Sequence, residues 1–391
     1  MFKSFFLAGF EGSTGYNLHH QWIDQVRATQ HDLFADEDYA RLNELGIRAA
    51  REVVRWPLVD QNGRYDFSSL APFLNAAQRN DVEIIFDLFH FGFPDHIDIC
   101  SDDFPARFAD YCHAVAAYLS ENTRGDCFFT PINEPSFFSW AAGEAGLFAP
   151  HLTCRGWELK KNLVRAAIEG INAIWAASPA ARIINVDPIC RVAVPFDRPD
   201  LEDEAEAFNR NAVFQSWDML CGRLMPELGG STDHLGVIGI NYYWTNQWEW
   251  GSPGIHLSDD DPRRWPLSRL IRSVWERYGA DMLITETAHV GEMRPVWMRE
   301  LAREAMSALN EGLPLKGVCL YPALEMPEWH KPSEWTRMGL WDLKPCGGKL
   351  ERVPYEPMIE ALREAQNIEQ FRPFNATQPT SCLSSIASPP R

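Results

Sequence analysis

The chain has 391 residues, a formal net charge of −18 and 46% hydrophobic residues, which suits either two ordinary domains or one large α/β barrel. Its acidity sets up long-range repulsion against polyanions, so neither nucleic acid nor an anionic membrane surface is an expected partner. No stretch reaches membrane-spanning length, and Met1–Phe10 lacks the length and the small-residue cleavage site of a signal peptide, so a cytoplasmic location is expected.

Strand-like apolar runs alternate with helix-like segments along the chain, the pattern of a parallel sheet wrapped by helices. Phe5–Phe10 reads as a first strand, and Asp36–Leu45 as a helix that Gly46 closes. Ile47–Val54 is a second strand, Phe67–Arg79 a helix and Val82–Leu88 a third strand, with His90 just beyond it. Asp103–Glu121 is a long amphipathic helix, and Cys127–Ile132 a fourth strand that runs into Asn133-Glu134-Pro135. Proline cannot continue the hydrogen-bond ladder, so Asn133 and Glu134 fall at the C-terminal lip of that strand.

After a loop rich in glycine and aromatics, Trp157–Ala177 reads as a helix, Arg182–Val186 as a fifth strand and Glu202–Cys221 as a helix with an acidic first turn. Leu235–Asn241 is the sixth strand, followed by Tyr242 and Tyr243 and a long insertion rich in tryptophan and proline. Helix Leu267–Tyr278, strand Met282–Thr285, helix Pro295–Asn310, strand Gly317–Tyr321 and helix Pro357–Gln366 complete the pattern. Eight strands and about eight helices predict a single (β/α)8 TIM barrel over residues 1–375, with a disordered Ser/Pro/Thr-rich tail over 376–391.

The polar residues select strand ends. Arg51 lies within the second strand, His90 follows the third, Asn133 and Glu134 end the fourth, and Tyr243 follows the sixth. Glu286 ends the seventh, about 150 residues after Glu134, and Glu328 and Trp329 lie beyond the eighth. In a barrel all of them gather on one face. Two facing carboxyl groups, one protonated and one ionised, are what acetal cleavage requires: a proton for the leaving oxygen and stabilisation of an oxocarbenium-like carbon. Glu134 is the candidate acid/base and Glu286 the candidate nucleophile, with Arg51 and Tyr243 placed to hold the anion. A separation of ~5–5.5 Å between the two carboxyls retains configuration and a wider one inverts it.

These residues resemble the family-1 glycoside hydrolases, the β-glucosidases and β-galactosidases, within clan A of retaining barrel glycosidases. Pro131-Ile132-Asn133-Glu134-Pro135 is similar to that family's Thr-x-Asn-Glu-Pro acid/base motif, and Ile284-Thr285-Glu286-Thr287 to its nucleophile motif. Gly239-Ile240-Asn241-Tyr242-Tyr243 resembles the sixth-strand signature, and Leu88-Phe89-His90-Phe91 the segment that carries a glycone-binding histidine. Pro327-Glu328-Trp329 is similar to the Phe-Glu-Trp that binds the outer hydroxyls of the glycone. The resemblance runs from about Phe5 to Leu340 and implies retaining hydrolysis of a small β-glucoside or β-galactoside without a cofactor. Glu328 would repel a sugar phosphate, which points to an unphosphorylated substrate. The chain departs from the family in having Pro131 for the motif's threonine, and Thr287 and Ala288 after the nucleophile. It also has no alignable glycone-binding glutamine around Glu11.

Other features read more plainly. Some of the 15 tryptophans suit sugar stacking and the rest ordinary core. The nine cysteines have no Cys-x-x-Cys pair and read as reduced, mostly buried thiols. His19, His20, His31 and the Asp259-Asp260-Asp261 run lack metal-site spacing, and no metal is expected. A transglycosidase using the same two glutamates, or a catalytically silent sugar-binding barrel, fits the same motifs. Nothing in the sequence sets an oligomeric state.

Overall fold

The computed structural model describes residues 1–125, 127–368 and 371, so the tail expected over 376–391 lies outside the described residues. Eight parallel strands close into a barrel: β1 Phe6–Gly9, β2 Ala49–Val53, β3 Glu83–Asp87, β4 Phe128–Thr130, β5 Arg182–Pro188, β6 Val237–Asn241, β7 Met282–Thr287 and β8 Leu315–Leu320. Each strand pairs with its sequence neighbours, and β1 closes the ring by pairing with both β8 and β2. Helices wrap the outside, as the expected (β/α)8 TIM barrel requires.

Strand alternation decides which residues enter the barrel. Leu7, Ala49, Ile85, Phe128, Ile184, Val237 and Leu283 form an inner apolar plug, while Phe6, Ala50, Ile84, Phe86, Phe129 and Ile238 face the helix layer. Two residues beyond Ala49 and Ile85 the same parity brings Arg51 and Asp87 inside, above the plug. β7 breaks the rule usefully. Its pairing with β6 slips between Ile284 and Glu286, and such a bulge re-aims the side chain that follows it. Without that slip Glu286 would share the outward parity of Met282 and Ile284.

Gly9 is inward on β1 because the Tyr321 ring occupies the place of a side chain: a Cβ there would lie 2.1 Å from the ring. Outside β2, Glu52 enters a buried network. It accepts from Tyr39 (2.6 Å) and meets His31 Nε2 (2.9 Å), whose Nδ1 meets Asp38 (2.8 Å). Arg352, from the strand Lys349–Pro354, binds Asp38 through two nitrogens. Two basic and two acidic groups are thus buried together.

The structure differs from the sequence reading in several places. The stretch after Glu134, expected as a loop, opens with helix Pro135–Gly143. The helix expected over Glu202–Cys221 is two helices, Glu202–Arg210 and Gln215–Leu220, because Asn211 leaves helical geometry at φ −123°, ψ −57°. Phe67–Arg79 begins with a 3-10 turn, Ser68–Leu70, before helix Ala71–Asn80. Exposed Cys154 and Cys346 also depart from the expected burial of the thiols. Among the described residues no helix is long and apolar enough to cross a membrane.

Candidate active site

The C-terminal ends of the strands carry a continuous polar cluster. Arg51 is its hub, with no exposed surface. Its Nη1 donates to Glu286 Oε1 at 2.5 Å, and its Nη2 donates to Asp87 Oδ2 at 2.6 Å and to Asn133 Oδ1 at 2.8 Å. Tyr243 Oη donates to the other Glu286 oxygen at 2.9 Å. Both oxygens of Glu286 therefore accept hydrogen bonds, one of them from a cation. Burial would weaken the Arg51 proton, but Asp87 and Glu286 outweigh it and raise its pKa further. Burial first, and then Glu286, raise the Tyr243 phenol well above its ordinary value, so it stays a donor.

Glu134 is in a different environment. Burial, and then the negative charge of Glu286, push its pKa well above the usual carboxylate range. Asn241 opposes this by donating Nδ2 to Glu134 Oε1 at 2.8 Å. The Asn241 carbonyl in turn accepts from Thr285 Oγ1 at 2.7 Å, which fixes the amide's orientation. The two acids thus sit in different surroundings: Glu134 is buried with its pKa raised and bonded to Asn241, and Glu286 is bonded to a guanidinium and a phenol.

His90 Nδ1 lies 2.8 Å from Asp87 Oδ2. Burial alone would lower the imidazole pKa, but Asp87 and Glu11 raise it. Its Nε2 is 3.4 Å from Asn133 Nδ2, 3.5 Å from Tyr321 Oη and 3.9 Å from Glu11 Oε1. Glu11 also accepts the Ser13 backbone N–H at 2.9 Å.

Of the residues singled out in the sequence, Arg51, His90, Asn133, Glu134, Tyr243 and Glu286 meet in this one cluster. Trp329 reaches it indirectly: its ring packs edge-to-face on Phe91, the neighbour of His90, and on Phe148. Its indole N–H is buried without a protein acceptor. Glu328 is not joined to the cluster by any hydrogen bond seen among the described residues. Its Oε2 accepts the backbone N–H groups of His330 and Lys331 in its own turn. Asp87, Asn241 and Tyr321 join this cluster without having been singled out, and Glu11, which the sequence reading set aside, lies 3.9 Å from His90. Two carried a signal: Asp87 is a charge that ends the apolar run Ile84–Phe86, and Asn241 an amide that ends the run Val237–Ile240.

No group of three or more His, Cys, Asp or Glu side chains suited to a metal ion occurs among the described residues. The cluster brings two carboxyl groups together with a guanidinium, an imidazole, a phenol and two amides.

The fold is that of the family 1 β-glucosidases. A family 1 β-glucosidase from Thermotoga maritima superposes with a TM-score of 0.75 at 15% identity, covering 93% of this chain and 97% of that one. The Thermotoga maritima β-glucosidase in complex with deoxynojirimycin gives 0.74 at 16% identity over 93% and 98%. Its complex with glucoimidazole gives 0.75 at 15% over 93% and 98%. No protein-family model matches the chain, and no curated protein matches it.

Proposed function

We propose that the protein is a glycoside hydrolase that cleaves a small β-glycoside by double displacement with retention of configuration. The observation that carries this reading is the pair of acids in one cluster with different partners: buried Glu134 bonded to Asn241, and Glu286 bonded to Arg51 and Tyr243. In the first step Glu286 attacks the anomeric carbon while Glu134 gives its proton to the departing oxygen. Esterification then removes the Glu286 charge, and with it part of what kept Glu134 protonated. Glu134 can now take a proton from water, which attacks the same carbon and releases Glu286.

The substrate class favoured is an unphosphorylated β-glucoside or β-galactoside. Arg51 is already committed to Glu286, Asp87 and Asn133, and Glu11 adds a further carboxylate beside His90, a poor setting for a sugar phosphate. His90 Nε2, Asn133 Nδ2, the Trp329 indole N–H and the second oxygen of Glu328 are the groups proposed for sugar hydroxyls. The Thermotoga maritima β-glucosidase, which shares this fold, is seen in complex with deoxynojirimycin and with glucoimidazole, and this supports a sugar-sized substrate.

The test is kinetic. Glu286→Gln and Glu134→Gln should each reduce turnover of aryl β-glycosides by several orders of magnitude. Azide should restore turnover of an activated substrate to Glu134→Ala as a β-glycosyl azide. Unimpaired turnover in the Glu134→Gln/Glu286→Gln double variant would refute the reading.

A further inference from the structure

Glu134 occupies the N-cap of helix Pro135–Gly143 but does not cap it: its side chain makes no bond to the helix backbone, and its φ is +48°. A left-handed conformation is unfavourable for a non-glycine residue, so neighbouring structure must hold it. Proline follows at the first helical position and has no N–H, so Ser136 carries the first free donor of the helix.

That donor is met from another strand. Asp187, on β5, accepts the Ser136 N–H at 3.0 Å with Oδ1 and the Ser136 hydroxyl at 2.6 Å with Oδ2. The Ser136 hydroxyl is also 2.8 Å from that of Ser216. One residue earlier on the same strand, the Val186 carbonyl accepts the Glu134 N–H at 3.1 Å. The turn bearing Glu134 is therefore clamped to consecutive residues of β5, on either side of Pro135. Asp187 has 1% of its surface exposed, and parity with Ile183 and Asn185 puts it behind the barrel wall.

We propose that Asp187 is a positioning residue for Glu134: it caps the helix in that residue's place and fixes the turn that carries Glu134. This rests on the reading of Glu134 as the acid/base. An uncapped helix N-terminus would favour a carboxylate beside it, and Asp187 puts a negative charge there. Asp187 itself is raised to about 6 by burial, against the Ser136 bonds and the charge of Lys160. The titratable groups that face it are Lys160, Cys190 and Glu134. Its effect on Glu134 is thus largest above pH ~6, where it is ionised.

The experiment uses Asp187→Asn, Asp187→Ala and Ser136→Ala in the full chain, with folding checked by thermal melting. For each, kcat/KM is measured against pH with a 4-nitrophenyl and a 2,4-dinitrophenyl β-glycoside, since the better leaving group needs little proton assistance. Asp187→Asn should move the alkaline limb down by about half a pH unit or more. Asp187→Ala should lose about tenfold or more on the nitrophenyl substrate and under about threefold on the dinitrophenyl one. Equal losses on both substrates, with an unmoved alkaline limb in Asp187→Asn, would overturn the assignment. If Asp187→Ala does not fold, Asp187→Asn and Ser136→Ala decide by the same criteria. A wild-type protein inert to both substrates would instead overturn the glycosidase reading, and the role of Asp187 with it.

Discussion

Arg51 and Glu286 lie 2.5 Å apart, nitrogen to oxygen, although 235 residues separate them in the chain. The strand parity of β2 and the slip in β7 are both needed for that meeting. The same guanidinium also binds Asp87 and Asn133, so it organises the floor of the site as well as the carboxylate.

Replacing Arg51 should therefore cost both activity and stability. Arg51→Met leaves Glu286 and Asp87 buried without their cation, a loss of about 3–5 kcal/mol. Arg51→Lys restores charge but not the fork that reaches three acceptors, and kcat should fall about 100-fold or more. Denaturant unfolding and steady-state kinetics check the two variants.

Glu134 should trade stability for function. Its folded pKa stands above its unfolded one, so folding binds the proton more tightly. Its contribution is complete below pH ~4.5 and declines as pH rises toward the folded value. Glu134→Gln, neutral at every pH, should be inactive yet more stable than wild type near pH 8. The gain should vanish near pH 4. Thermal unfolding across that range checks it.

Asn241 should act on the second half of the reaction. Its amide stabilises ionised Glu134, so Asn241→Ala should move the alkaline limb of kcat/KM to higher pH. It should also slow release of sugar from Glu286 near neutral pH, because less of Glu134 is then ionised and able to take a proton from water. Pre-steady-state bursts of nitrophenol, larger than in wild type, would report that change.

His31 should give the protein an alkaline stability limit. Burial lowers its pKa, but Glu52 and Asp38 more than compensate and raise it from 6.5 to about 9. The stabilisation is complete below pH 6.5 and is lost as pH rises through 9, at roughly 1.4 kcal/mol per unit in between. The facing groups are Asp38, Glu52, Tyr39 and, through Asp38, Arg352. In His31→Gln that slope should be absent from unfolding free energies measured between pH 6.5 and 9.

The role of Glu328 is decided by the sugar. If its free oxygen binds the outer hydroxymethyl group, Glu328→Ala should lower kcat/KM about tenfold or more for a β-glucoside. A β-xyloside, which lacks that group, should be affected much less. Equal losses on both would leave Glu328 only the cap it gives to its own turn.

The barrel was legible in the sequence because its evidence is periodic. Alternating strands and helices, with polar residues at strand ends, located Arg51, His90, Asn133, Glu134, Tyr243 and Glu286. Asp87, Asn241 and Tyr321 act through spatial neighbours from other strands, and linear order hides those neighbours. The helix after Glu134 was hidden because its capping partner, Asp187, lies 51 residues away from Ser136. The break at Asn211 was hidden because no proline or glycine marks it. Glu328 stood in a matching motif, and motif position alone does not reveal that one of its oxygens serves the local turn.

The most direct test is to trap the intermediate. Incubation with a 2-deoxy-2-fluoro-β-glycoside bearing a dinitrophenyl leaving group should add one fluorosugar, and peptide mapping should find it on Glu286. A protein that turns over the parent glycoside but stays unlabelled, or carries the sugar on another residue, would contradict Glu286 as the nucleophile.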